Sequence, residues 1–151
     1  MISRIHESNL IEGIDDKVED NISLGAWRWL ISQDTINEDK IKLLQAKIVI
    51  NQDIPAKYKG QYRDCNVIVG GRKCPKPEDV PNLMKMWLES FRYGTTPLTQ
   101  HIVFERIHPF FDGNGRTGRM LLWWEQHATG ERLAFYTAKD KEEYFKLFEG
   151  E

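Results

Sequence analysis

Between His108 and Arg119 the chain runs His-Pro-Phe-Phe-Asp-Gly-Asn-Gly-Arg-Thr-Gly-Arg, which sets a base, a carboxylate, a glycine-bracketed turn and two arginines in one short row. Gly113 and Gly115 permit positive φ and close backbone approach, so successive N–H groups can curl around an anion. The helix expected to follow adds its own unpaired N–H groups and the positive end of its dipole. Arg116 and Arg119 share a helical face at the end where that dipole disfavours cations, at a cost of about 0.3–1 kcal/mol per charge unless an anion sits there. A polyphosphate satisfies all these donors at once. His108 can accept a proton near its ordinary pKa of about 6.5. Asp112 offers one carboxylate, which suffices for Mg²⁺ because that ion takes further ligands from phosphate oxygens and water. Planar arginine forks bind two phosphate oxygens together. The chemistry these types suit is attack on phosphorus, where positioning and charge neutralisation count for most.

Taken singly, each group has a plainer role. A histidine before proline ordinarily ends a helix, Asp-Gly ordinarily makes a turn, and paired arginines at helical spacing are ordinarily solvated. Their conjunction in this order carries the argument. Gly113, Gly115 and Gly118 also spell the dinucleotide fingerprint, but that motif requires a preceding strand. Val103, Phe104 and Ile107 stand at helical spacing before it, so no strand fits. The kinase glycine loop fails too, since its companion elements are missing from the sequence.

The elements that must hold this row are helical. Periodicity predicts helices over Ser3–Ile11, ended by Gly13, over Val18–Ile31, and over Asn37–Ile50 with Glu38 and Asp39 in the first turn. Asn66-Val67-Ile68-Val69 before Gly70-Gly71 predicts a short strand and turn. Pro77–Pro81 opens a helix burying Leu83, Met84, Trp87, Leu88 and Phe91. Pro97–Ile107 leads into the row, a helix from Gly115 or Arg116 to His127 leaves it, and Lys141–Phe148 adds a weaker one. His101 reads as a satisfied helix histidine, and the five tryptophans as core.

At 151 residues the chain is expected to be one domain, 1–151. Its 40% apolar and 29% charged residues are ordinary for a soluble globular protein, and a net charge of −2 gives no argument for binding nucleic acid or membrane. Met1–Asp20 lacks a signal-peptide core, and no apolar run has the length of a membrane span. Cys65 and Cys74 lack metal-site spacing. They are expected to be reduced in a cytoplasmic protein, with a disulfide across a hairpin left open.

The row at 108–119 resembles the core motif of the Fic family, His-x-Phe-x-Asp/Glu-Gly-Asn-Gly-Arg-x-x-Arg, at every defined position. The resemblance implies an all-α Fic-domain helical bundle with a small β-hairpin flap. It also implies transfer of AMP from ATP to a protein hydroxyl, with release of pyrophosphate. On this likeness His108 is the general base for a Ser, Thr or Tyr of a target protein, and Asp112 binds Mg²⁺. Asn114 and the backbone of Gly113 and Gly115 hold the α- and β-phosphates, Arg116 the β-phosphate and Arg119 the γ-phosphate, while Phe110 anchors the core.

The likeness extends over roughly residues 57–130. Gly60-Gln61-Tyr62-Arg63, followed by Asn66, Val67, Ile68 and Val69, looks like the approach to the family's flap, at about residues 64–76. In the family the flap pairs backbone to backbone with the target segment, a form of strand addition. Ser8-Asn9-Leu10-Ile11-Glu12-Gly13 matches the family's inhibitory pattern, Ser/Thr-x-x-x-Glu-Gly/Asn, and makes residues 1–14 an inhibitory helix. Ser8 and Glu12 would face the same way, with Glu12 competing for Arg119. Related readings are a UMP or phosphocholine donor, removal of AMP, and a nucleotide-binding regulator without useful turnover. Homodimers are common in the family.

Overall fold

The computed structural model describes residues 1–150. Among these residues it has seven α-helices and one two-stranded antiparallel hairpin. The helices are α1 (Ile2–Ile11), α2 (Lys17–Ile31), α3 (Glu38–Ile48), α4 (Val80–Ser90), α5 (Pro97–Ile107), α6 (Asn114–Thr129) and α7 (Lys141–Lys146). The strands, β1 (Ile68–Val69) and β2 (Arg72–Lys73), lie between α3 and α4. None of the helices is long and apolar enough to cross a membrane.

The bundle is built around α6, which packs against α1, α2, α3 and α5. Its apolar residues Met120, Leu121, Leu122 and Trp123 are all buried, and so is much of its polar face. A helix covered this fully belongs at the centre of a domain. Around it Trp27 and Leu30 of α2, Ile41, Leu44 and Ile48 of α3, and Phe104 and Ile107 of α5 close one continuous core. Each such side chain contributes about 1.5–3 kcal/mol by leaving water. Trp27 meets Trp123 edge to face at 6.1 Å.

The helix ends follow local chemistry. The Asp16 side chain accepts from the Val18 N–H at 2.6 Å and starts α2, and Asn37 accepts from the Lys40 N–H at 2.9 Å and starts α3. Gly13, at φ +75°, terminates α1: its N–H donates to Leu10 O at 2.9 Å and the Ile14 N–H donates to Asn9 O at 3.0 Å. This double closure is the Schellman arrangement, and it fixes Glu12 as the last residue of the helix end.

Several boundaries differ by one or two residues from the sequence expectation, and three of the differences have a local cause. Helix α3 stops at Ile48 rather than Ile50, because the polar run Asn51-Gln52-Asp53 carries the chain into turns. Helix α6 begins at Asn114, one residue early, because Gly113 at φ +79° supplies its start. The strand at 66–69 shrinks to Ile68–Val69, with Asn66 outside the ladder and Val67 joined only through its carbonyl, which accepts from the Cys74 N–H at 3.2 Å. Gly70 and Gly71 both have positive φ, as a tight primed hairpin turn requires.

Candidate active site

The row 108–119 occupies the junction of α5 and α6. Thr96 caps α5 by accepting from the Thr99 N–H at 3.2 Å, with Pro97 in the first turn. His108 ends it in the left-handed region at φ 51°, as the single non-glycine residue with positive φ among those described. Phe110 then enters the core with no exposure. The Asn114 side chain accepts from the Phe110 N–H and donates to the Phe110 carbonyl, both at 2.8 Å. Both ends of this amide therefore help to shape the loop. The side chain expected to hold phosphate also serves as an internal clasp of the loop, which leaves one Nδ2 hydrogen outside these two bonds.

Gln45 of α3 braces the same loop from outside. Its amide donates to Asp112 O at 3.0 Å and Tyr58 O at 3.1 Å, while its Oε1 accepts from the Gly60 N–H at 2.6 Å. Gly113 lies so close to α3 that an added Cβ would stand 2.6 Å from Val49 Cγ1. The Asp112 carboxylate is half-buried, and its Oδ1 accepts from the Gly113 N–H at 2.7 Å.

His108 is half-buried, and its Nδ1 makes no hydrogen bond of good geometry. Burial, reinforced by the nearby Arg63 charge, pushes its pKa down to about 4, against a smaller opposing pull from the Glu105 carbonyl. The imidazole is neutral at neutral pH, the state a base requires.

Both arginines of the row are buried rather than solvated, each 1% exposed. Arg119 is engaged at each of its three nitrogens. Its Nε donates to Ser8 Oγ at 2.8 Å, and its Nη2 donates to Ser8 O at 3.0 Å and Glu12 Oε1 at 2.6 Å. Nη1 donates to Tyr144 OH at 3.3 Å. An added Cβ on Gly115 would overlap Glu12 Oε1, so the Glu12 carboxylate rests directly on the first turn of α6. Arg116 differs. Among the described residues its only ion partner is Glu19 Oε2 at 3.9 Å, and its Nε and Nη1 are buried without a hydrogen-bond partner. Burial pushes its pKa down while Asp112, Glu12 and Glu19 oppose that. Such orphaned guanidinium donors are costly unless an acceptor arrives.

Helix α1 is held where Glu12 can reach this point. Asp20 of α2 accepts from Asn9 Nδ2 at 2.7 Å and pairs with His6 Nδ1 at 2.8 Å. Arg4 donates to Leu133 O and Ala134 O, and Glu7 accepts from the Ala138 N–H.

Arg63, which the sequence reading placed in the flap approach without a role of its own, clamps that segment to α5. It is 2% exposed, and its guanidinium donates to His108 O at 2.7 Å, Ile107 O at 3.2 Å, Cys65 O at 2.9 Å and Pro75 O at 2.6 Å. One side chain thus joins both limbs of the hairpin to the carbonyl end of α5, where a cation also complements the helix dipole. A basic residue inside the flap approach was the available signal. The hairpin presents Ile68 and Val69 outward, 66% and 39% exposed. Cys65 and Cys74 are free thiols.

No cluster of three or more His, Cys, Asp or Glu that could hold a metal occurs among the described residues. Asp112 alone therefore suits only an ion that takes its other ligands elsewhere, as Mg²⁺ does from phosphates and water.

A helical bundle whose central helix starts from a His-to-Arg anion cradle, with a hairpin tied to the histidine, defines the class. The family model described as Fic/DOC family matches residues 35–125, and the chain belongs to that family. It is similar to a probable protein adenylyltransferase of Aquifex aeolicus (strain VF5), at 41% identity over 69 residues covering 40% of this chain and 22% of that protein. The protein adenylyltransferase Fic of Drosophila erecta is 41% identical over 71 residues, 42% of this chain and 14% of its own length. These matches thus span less than a quarter of either relative. A Fic family protein from Desulfovibrio desulfuricans G20 shares the fold, with a TM-score of 0.79 at 21% identity over 97% of this chain and 55% of that one.

Proposed function

We propose that this chain transfers AMP from ATP to a Ser, Thr or Tyr hydroxyl of a target protein, and that Glu12 restrains the reaction. The observation that carries the reading is the disposition of the two buried arginines. Arg116 has orphaned donors, and Arg119 is covered by a carboxylate from another helix. Anion-binding capacity is present, and half of it is occupied by a side-chain carboxylate standing in for a phosphate.

In the reaction so read, neutral His108 takes the proton from the target hydroxyl. The hydroxyl oxygen attacks the α-phosphorus, a P–O bond to AMP forms, and the α–β bridging bond breaks to release pyrophosphate. Arg116, the N–H groups at the start of α6 and, once uncovered, Arg119 neutralise the phosphate charge. Asp112 would hold Mg²⁺, which neutralises further phosphate charge when bound. The exposed edge of the hairpin would align the target backbone. A cytoplasmic setting agrees with the free thiols.

The removal of AMP is a second reading. It is favoured by the one-third exposure of the Glu12 side chain, which leaves a carboxylate able to meet water beside the phosphate site.

The test incubates wild type, Glu12→Gly and Glu12→Gly/His108→Ala with Mg²⁺ and ATP labelled at the α- or the γ-phosphate. Label from the α-position only, strong in Glu12→Gly and lost with His108→Ala, is the expected result. Binding of ATP with no label from either position would overturn the transfer reading. A wild type as active as Glu12→Gly would overturn the restraint.

A further inference from the structure

We propose that Tyr144, with His101 behind it, is a positioning residue that holds the Arg119 guanidinium from the side opposite α1. The proposal rests on the reading of Arg119 as a phosphate ligand.

The protons in this cluster can be assigned. His101 Nδ1 lies 3.0 Å from Gly118 O, and a carbonyl only accepts, so Nδ1 carries the hydrogen. The ring is fully buried, and burial with the Arg119 charge keeps it neutral by lowering its pKa to about 3. Its Nε2 is therefore bare and accepts from Tyr144 OH at 2.8 Å. The phenol, having given its hydrogen to His101, turns its lone pairs to Arg119 Nη1 at 3.3 Å. The chain of donation runs one way: Arg119 to Tyr144 to His101, while His101 separately donates to the backbone of α6. The Tyr144 ring also lies beneath the guanidinium, at 5.4 Å.

The donors of Arg119 divide accordingly. Nε and Nη2 are committed to α1, and Nη1 to Tyr144. When a phosphate displaces Glu12, the contacts on the α1 side change and the one on the Tyr144 side does not. An arginine has many rotamers to lose on binding, so a fixed partner on the far side preserves affinity. This also gives α7 a purpose. It is a six-residue helix whose one buried residue is Tyr144.

Tyr144→Phe keeps the ring and deletes only the hydroxyl. In the Glu12→Gly background it is expected to raise the KM for Mg²⁺·ATP about five- to tenfold, with kcat within about twofold, the pattern of lost uniform binding. Thermal unfolding measured alongside should shift little. An unchanged KM, or a KM that changes only together with a collapse in Tm, would overturn the proposal. Two nitrogen-15 NMR readouts need no turnover. His101 should show a hydrogen on Nδ1 alone down to about pH 4, and the Arg119 Nε–H order parameter should fall when Tyr144→Phe is added to Glu12→Gly. A hydrogen on His101 Nε2, or an unchanged order parameter, would sink the positioning role. Should none of the proteins bind ATP, the transferase reading fails while these two signals still decide the role of Tyr144.

Discussion

Glu12 Oε1 sits 2.6 Å from Arg119 Nη2, a contact between residues 107 positions apart that lies directly on the first turn of α6. Gly115 makes the contact sterically feasible, since any Cβ there would overlap the carboxylate. Gly115→Ala should therefore push Glu12 off Arg119. We expect it to destabilise the wild-type protein by about 1–3 kcal/mol, the cost of an unsatisfied charged group. Most of that penalty should vanish in Glu12→Gly. Chemical denaturation of the four proteins of this double-mutant cycle measures the coupling, and additive effects would disprove the steric argument.

Arg63→Lys should separate hairpin from histidine. A lysine cannot span four carbonyls, so at least two become unsatisfied, at about 1–3 kcal/mol each. Hydrogen exchange should quicken at the Cys74 and Arg63 amides, which now donate to Val67 O and Pro109 O. Unchanged exchange and melting temperature would show that the clamp is dispensable.

The rate should tolerate acid better than an ordinary histidine allows. With His108 at about 4, the acid limb of kcat/KM in Glu12→Gly should fall near that value rather than near 6.5. A limb near 6.5 would mean His108 is more hydrated in solution than its surroundings here imply.

Stability should be level over an intermediate pH range. His101 and His108 have folded pKa values of about 3 and about 4, below the ordinary 6.5, so the unfolded chain binds more protons between those values and stability falls with acid. Burial raises Glu105 to about 8, and burial with the Glu131 charge raises Glu125 to about 9, from 4.5, so there the folded chain binds more protons and stability falls as pH rises. The two effects oppose each other between 4.5 and 6.5. From these four groups a plateau is expected in that window, with decline on both sides. Glu105→Gln should remove part of the alkaline decline, and a melting-temperature profile with no alkaline decline would contradict it.

The fold and the row at 108–119 were legible because both are local. Periodicity found the helices, glycines marked their ends, and the spacing of Gly113, Gly115, Arg116 and Arg119 put these residues together at one loop and helix start. The pattern Ser8-x-x-x-Glu12 pointed to the right end of α1 because residues four apart share a helical face. What escaped depends on tertiary contact. Nothing near Arg63 says that it will gather carbonyls from four residues, two of them on α5's end. Tyr144 stands in a weak amphipathic segment, and its meaning appears only where His101 and Arg119 meet it. The clasp that the Asn114 amide makes with the Phe110 backbone has no signal in the sequence, because it depends on how the loop folds back. The arginines looked solvated in the plain reading because burial belongs to the whole bundle, not to their spacing.

Helix α1 is fastened along its length, by Arg4 and Glu7 to residues 133–138 and by His6 and Asn9 to Asp20. Glu12 alone hangs beyond these ties, at the capped end. Nothing large therefore has to swing for the Glu12 contact to open, since one carboxylate need only rotate aside while the bonds from Arg119 to Ser8 stay in place. If Glu12 restrains the site as proposed, the control works as a dimmer and not as a latch: output would rise smoothly with the concentration of the competing anion, without threshold or memory.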